Sequence, residues 1–103
     1  MPIDRVQALQ ALLEQDPNNS FARYGLAQAY ASNGQYEQAV SAYRDLIAAN
    51  PDYVAAYYHC GQALERMGNP DDARSIYEQG IEACSRTGDA HTRSEIQAAL
   101  DIL

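Results

Sequence analysis

The sequence has neither lysine nor tryptophan, and its seven basic residues are all arginine. The absence of lysine excludes Schiff-base catalysis and the lysine-containing type of phosphate-binding loop. Fourteen acidic residues leave a formal net charge of −7. This balance argues against nucleic acid or an anionic membrane surface as a partner, because both attract clustered lysine and arginine.

Cysteine and long apolar runs are also scarce. Cys60 and Cys84 are the two cysteines, too few for a disulfide framework, and each is expected to pack as a small apolar side chain within a helix. No apolar run approaches the roughly 20 residues of a membrane span, and the segment Met1–Arg5 lacks the basic and apolar regions of a signal peptide. We therefore expect a single cytoplasmic domain with no cofactor and no bound metal.

What the sequence does contain is an internal repeat, because residues 18–51 and 52–85 align at an offset of 34 positions. The matched pairs include Ala22 with Ala56, Tyr24 with Tyr58, Gln28 with Gln62, Gly34 with Gly68, Ala39 with Ala73 and Tyr43 with Tyr77. A fixed period in this range is typical of stacked helical hairpins, which serve as binding scaffolds.

Hydrophobic spacing and helix-stop residues predict six helices and no strand. The predicted helices cover Ile3–Gln15, Ser20–Ser32, Tyr36–Ala49, Asp52–Met67, Pro70 to about Arg86, and Asp89 to near the C-terminus. Asp52 and Asn69 are predicted N-caps, and Gly34 and Gly68 are predicted helix stops. Because every connection is short, sequential helices should pack as antiparallel neighbours.

This pattern resembles the tetratricopeptide repeat (TPR) family, in which a large aromatic residue, Leu, Gly and Tyr mark the first helix of a unit, and Ala, an aromatic residue and a final Pro mark the second. The first unit matches at Leu26, Tyr30, Ala39, Tyr43 and Pro51, and departs at Arg23 and Ala27. The second unit matches at Tyr57, Gly61, Ala73 and Tyr77, and departs at Cys60, Leu64 and Ser85. The resemblance implies an all-α, right-handed superhelix of antiparallel helix pairs.

The same resemblance divides the chain into a leading half-repeat at residues 1–17, full repeats at 18–51 and 52–85, and a capping helix at 88–103. Small residues at Ala27 and Gly61 let paired helices approach closely, while Tyr43 and Tyr77 are expected to fill the space toward the following repeat. The capping helix is polar where packing residues would otherwise stand, as the ends of solenoids are for solubility. Its alternative role is to reach across to another chain.

The resemblance further implies that the first helices of successive repeats line a concave groove for a peptide or a partner helix. The residues it assigns to this candidate site are Phe21, Tyr24, Gln28, Tyr58, Gln62, Glu65 and Arg93. Tyrosine offers a flat apolar face and a hydroxyl, and glutamine offers a donor and an acceptor to a peptide backbone. An alternative is that the tyrosines cover the helix pairs and bind nothing.

A carboxylate-clamp subset of the family grips chaperone tails through basic and amide side chains, and Arg93 alone matches that pattern. Tail binding of that kind is therefore disfavoured, and the acidic balance points instead to a partner with some basic character. Catalysis has little support, because His59 and Cys60 are adjacent in a helix and their side chains point about 100° apart.

The sequence thus predicts a non-enzymatic module for protein–protein interaction, with a protein or peptide partner. A second hypothesis is a structural protein that forms a homodimer through its C-terminal helix, chiefly Ile96, Leu100 and Leu103.

Overall fold

Residues 4–103, the part of the chain that the computed structural model describes, form six α-helices and contain no β-strand. The helices are α1 Arg5–Gln15, α2 Ser20–Ser32, α3 Tyr36–Ala49, α4 Val54–Arg66, α5 Pro70–Thr87 and α6 Ala90–Asp101. The predicted helix order and the bounds of α2 and α3 are confirmed, whereas the predicted helix start at Ile3 lies outside the described residues. None of the described helices is long and apolar enough to cross a membrane.

Short polar side chains and glycines set most helix boundaries. Asp4, Asn19 and Asp89 each accept a hydrogen bond from a backbone N–H in the first turn of the helix that follows. Gly34 and Gly68 have φ angles of 76° and 74° just after α2 and α4. These two predicted stops are confirmed, since glycine takes that left-handed conformation without steric cost.

The predicted cap of α4 is wrong. The N-cap residue is Tyr53, which makes no side-chain capping bond. The Asp52 carboxylate instead accepts a hydrogen bond of 3.2 Å from the guanidinium of Arg86. Asp52 therefore links the start of α4 to the last turn of α5 and does not cap α4.

The second helix of the second repeat runs past its counterpart in the first. α3 has 14 residues and stops before Pro51, whereas α5 has 18 residues and ends at Gly88. Ser85 stands where Pro51 stands in the first repeat, so nothing in the backbone chemistry interrupts the helix there. In consequence Ala90 starts α6 36 positions after Val54 starts α4, two more than the period of the repeat.

Each helix packs against the next one along the chain, and α4 also contacts α2 and α6. The core between the helices is apolar, and no polar or charged residue of the described chain is buried. Its largest fully buried side chains are Tyr43, Tyr77, Leu46, Ile96, Cys60 and Cys84.

The close approach of α4 and α5 depends on Gly61. The ring of Tyr77 is fully buried, and a Cβ added to Gly61 would fall 2.1 Å from it. In the first repeat Ala27 and Tyr43, both buried, occupy the equivalent positions. Tyr43 also reaches into the next repeat, with its ring centroid 6.3 Å from that of His59, so the predicted space-filling role of this tyrosine is confirmed.

Arg23 and Tyr57 occupy equivalent positions and hold equivalent backbone carbonyls. The guanidinium of Arg23 donates to the carbonyl oxygen of Pro17 from Nε at 3.0 Å and from Nη2 at 2.7 Å. The hydroxyl of Tyr57 donates to the carbonyl oxygen of Pro51 at 2.6 Å. Arg23 stands where the family pattern has an aromatic residue, yet its guanidinium binds the backbone carbonyl equivalent to the one that the Tyr57 hydroxyl binds.

α6 covers the exposed side of α5 by placing Ile96 in the core. Ile96 is 0% exposed, and its Cδ1 atom lies 2.8 Å from where a Cβ on Gly80 would stand. The prediction that Ile96 contributes to a dimer face is therefore wrong, because this side chain is buried within the monomer. Leu100 and Leu103 are partly buried against the same core, and Ile102 is 86% exposed.

Replacing Gly61 by alanine should destabilise the fold. We expect Gly61→Ala to lower the free energy of unfolding by about 1–3 kcal/mol, because a methyl group must displace a packed ring. Gly25→Ala is the matched control on α2: its added Cβ would meet Leu9 at 3.4 Å, an ordinary contact. That change replaces a helical glycine by a residue that favours helix by about 1 kcal/mol. Urea denaturation of both variants measures the difference, and equal midpoints would contradict this packing.

Truncating Ile96 should unfold the C-terminal end of the array. We expect Ile96→Ala to cost about 2–5 kcal/mol of unfolding free energy, as for other large-to-small changes in a core. Ile102→Ala, at the exposed end of the same helix, should change stability little. Thermal melting followed by circular dichroism compares the two, and a wild-type melt for Ile96→Ala would show that α6 is dispensable.

Candidate functional site

Tyr24 and Tyr58 lie at equivalent positions of α2 and α4, two helices that contact each other. Both side chains are half-buried. The Nε2 of Gln28 donates to the Tyr24 hydroxyl at 3.1 Å, and the Nε2 of Gln62 donates to the Tyr58 hydroxyl at 2.8 Å. The same pair of a ring and an amide thus recurs one repeat apart, and each pair retains an amide carbonyl and a hydroxyl proton for a bound polypeptide.

His59, on α4, packs its ring against aromatic rings of both repeats. Its ring centroid is 5.7 Å from that of Tyr24, 5.3 Å from that of Tyr58 and 6.3 Å from that of Tyr43. Tyr53 extends the cluster, with its centroid 5.2 Å from that of Tyr24. Neither His59 nor Tyr53 is among the residues that the sequence predicted for the groove, and the short ring distances arise from the packing of α2 against α4.

A cavity of about 250 Å³ opens beside this cluster, at the C-terminal ends of α2 and α4. Its lining residues are Ala31, Ser32, Tyr36, Tyr43, His59, Gln62, Ala63 and Arg66. The guanidinium of Arg66 stands over the ring of Tyr36, 6.0 Å from the ring centroid. Gln62 and Arg66 also line a second cavity with Glu65, so the polar surface continues along α4.

Two further predicted site residues, Glu65 and Phe21, differ in their contacts. The carboxylate of Glu65 accepts a hydrogen bond from the hydroxyl of Tyr77, at 2.5 Å. This contact fixes an exposed carboxylate through a tyrosine that is itself in the core. Phe21, at the first turn of α2, is 78% exposed, which is unusual for so large an apolar side chain.

Arg93, on α6, is not among the residues that line the two cavities along α4. It lines a shallow cavity at the junction of α5 and α6, together with Cys84, Ser85, Gly88 and Ala90. The extra turn of α5 shifts α6 so that Glu95, not Arg93, corresponds in place to His59 of α4. The charge of Glu95 accordingly acts on Tyr24 and His59.

Burial determines the protonation states in the cluster. It lowers the pKa of His59, which the nearby carboxylate of Glu95 partly counteracts, so the imidazole is neutral at pH 7. Burial also raises the pKa of Cys60 to about 11, and the thiol next to His59 therefore stays protonated and is a poor nucleophile. No group of three or more His, Cys, Asp or Glu side chains that could hold a metal ion is present within residues 4–103.

A family model and a related protein both identify tetratricopeptide repeats in this chain. A family model described as tetratricopeptide repeat matches residues 6–40 and 24–89. A TPR repeat-containing protein of Pseudomonas aeruginosa is 26% identical over 95 residues, which cover 92% of this chain and 90% of that protein.

Solved structures share the fold. The crystal structure of a tetratricopeptide repeat domain protein from Salinibacter ruber is 38% identical, with a TM-score of 0.74 over 80% of this chain and 91% of that chain. The crystal structure of PcrH in complex with the chaperone binding region of PopD is 20% identical, with a TM-score of 0.87 over 94% of this chain and 74% of that chain. The six-helix architecture described above is therefore a known all-α repeat fold.

The lowered pKa of His59 should make stability depend on pH. As pH falls below about 6.5, the unfolded chain takes up a proton at this histidine more readily than the folded chain does, so folding weakens. Tyr24, Tyr43 and Tyr58 pack around the ring, and Glu95 alone among the groups named opposes the shift. His59→Gln removes the titrating group.

We expect the wild type to lose more stability than His59→Gln between about pH 7.5 and pH 5.5. Urea midpoints of both proteins at the two pH values test this, with the higher pH as the reference at which both side chains are neutral. Parallel loss in the two proteins would mean that other groups govern the acid response.

Proposed function

The chain belongs to the tetratricopeptide repeat family, whose model covers most of its length, and we propose that it is a non-enzymatic module holding a polypeptide segment across α2 and α4. In this proposal residues 18–51 and 52–85 are the two full repeats between a leading half-repeat and the capping α6. The partner is an extended peptide or a helix from another protein. It is bound by the groove formed by Tyr24, Gln28, Tyr58, Gln62 and Glu65, with Phe21 at one edge.

The observation that carries this proposal is the repeated pairing of tyrosine and glutamine on adjacent first helices. Half-buried tyrosines combine a large contact area with few rotatable bonds, and they are enriched among the residues that dominate binding energy. The glutamine partners hold the tyrosine hydroxyls at 3.1 Å and 2.8 Å, so the rings are ordered before a ligand arrives. A preorganised surface loses less conformational entropy on binding.

A chain of the same fold supplies a precedent for a protein partner. PcrH, a chain of the same fold, was crystallised in complex with a region of another protein. This proposal leaves Arg93, which the sequence predicted for the groove, outside it, since that side chain lines the cavity at the junction of α5 and α6. Glu95 and His59 take its place in the proposed site.

Self-association is the second candidate, and the exposed Ile102 at the end of α6 is the observation that favours it. Leu100 and Leu103 are partly buried beside it. Such a contact would leave the groove free, so the two candidates make different predictions for variants of the groove.

A pull-down from a cell lysate, read by mass spectrometry, tests the groove. We expect Tyr24→Ala/Tyr58→Ala to reduce recovery of the wild-type partner by at least tenfold, because each truncated anchor costs about 1–2 kcal/mol or more. Gln28→Ala/Gln62→Ala, which keeps both rings, should reduce recovery less. Glu78→Ala/Gln79→Ala, on the exposed face of α5, is the control for an unrelated surface.

Circular dichroism must show that each variant is folded before its recovery is compared. Equal recovery by the wild type and the tyrosine variant would overturn the groove proposal. Recovery of the chain itself, with twice the monomer mass in light scattering, would favour self-association through α6.

A further inference from the structure

Four aromatic rings meet at one end of the groove without stacking flat on one another. The ring of Tyr24 is inclined by 42° to that of Tyr53 and by 62° to that of His59, and the rings of Tyr58 and His59 are inclined by 73°. All four side chains are half-buried. Rings tilted and half-buried in this way leave part of their faces and edges at the surface, and the negative faces of such rings attract a cation.

Glu95 brings a carboxylate to the same place from a different helix. Its side chain is 46% exposed and lies 3.5 Å from the Nε2 of His91. After burial and the neighbouring Tyr53, the charge of Glu95 is a further cause that raises the pKa of the Tyr24 hydroxyl. α6 contacts α4 directly, and this packing brings the carboxylate close enough for its charge to act on Tyr24 and His59.

The basic side chain that shares a cavity with His59 of the cluster is Arg66. At the cavity between the C-terminal ends of α2 and α4, the guanidinium of Arg66 already lies over the ring of Tyr36. Within the ring cluster, the histidine is neutral at pH 7 because burial lowers the pKa of His59, and Arg93 lines the cavity beside Cys84. The Glu95 carboxylate therefore acts on a set of aromatic faces, and within residues 4–103 the one side chain that it contacts as an ion pair is the exposed His91 on its own helix.

We propose that Tyr24, Tyr53, Tyr58, His59 and Glu95 form a subsite for a basic side chain, arginine or lysine, of the bound polypeptide. This inference rests on the proposed function of the groove and adds the chemistry of one partner residue. An apolar side chain would use the rings but would remove water from the carboxylate without compensation. A basic side chain satisfies both, by a contact of the kind that Arg66 makes with Tyr36.

Two small probes of nearly the same shape separate the effect of charge on affinity from the effect of contact area. N-acetyl-arginine methylamide carries the guanidinium, and N-acetyl-citrulline methylamide replaces it with a neutral urea group. Each is titrated into the full chain, and the ring resonances of Tyr24, Tyr58 and His59 are followed by NMR. We expect the arginine probe to bind about three- to tenfold more tightly, consistent with a partly exposed cation–π contact strengthened by a carboxylate.

Glu95→Gln should bring the affinity for the arginine probe close to that for the citrulline probe. Glu78→Gln, an exposed acid on α5, removes the same charge from the molecule and should leave the difference between probes unchanged. Equal binding of the two probes by the wild type, or an unchanged preference in Glu95→Gln, would overturn the subsite.

The pull-down with the tyrosine variants reports on the groove independently of this test. A partner lost from Tyr24→Ala/Tyr58→Ala while the two probes bind equally would overturn the basic subsite and leave the groove function standing. A preference for the arginine probe together with undiminished recovery of the partner would instead overturn the groove and keep a cation-binding cluster.

Discussion

The contact of a tyrosine ring with a small residue on the facing helix is the constraint on which the rest of this structure depends. Tyr77 lies against the backbone of Gly61, and Tyr43 occupies the equivalent place opposite Ala27. This contact sets how closely the two helices of a repeat approach. It also reaches the surface, because the hydroxyl of Tyr77 donates to Glu65. The same side chain thus packs the core and orients a carboxylate of the candidate site.

Most of the fold could be predicted from the sequence because local and repeated signals agree. α2 and α3 have the predicted bounds, since hydrophobic spacing, stop residues and the internal period all indicate the same elements. The position of α6 could not be read from the period. Ser85 in place of Pro51 lets α5 continue for another turn, and this local change moves every later residue relative to the repeat. The 34-residue period predicts Arg93 in the groove, whereas α6 starts two positions later than that period requires.

In the candidate site, residues that recur in both repeats could be predicted, and residues that do not recur could not. Tyr24 and Tyr58 could be predicted as groove residues because each has an identical counterpart one period away. His59 corresponds to Gly25, so comparing the repeats gives no sign of its place between the tyrosines. The ring contacts of Tyr53 and the influence of Glu95 depend on how α2, α4 and α6 pack.

The carbonyl of Pro17 accepts from the guanidinium of Arg23, whereas the equivalent carbonyl of Pro51 accepts from the phenol of Tyr57 and, at 3.4 Å, from the guanidinium of Arg86. Each of these bonds ties the last residue of one unit to a later part of the chain. Because the acceptor is a backbone carbonyl, which every residue carries, the bond constrains the donor side chain and not the side chain at the end of the preceding unit. The junction between units can therefore be held by different donors while the backbone path stays the same.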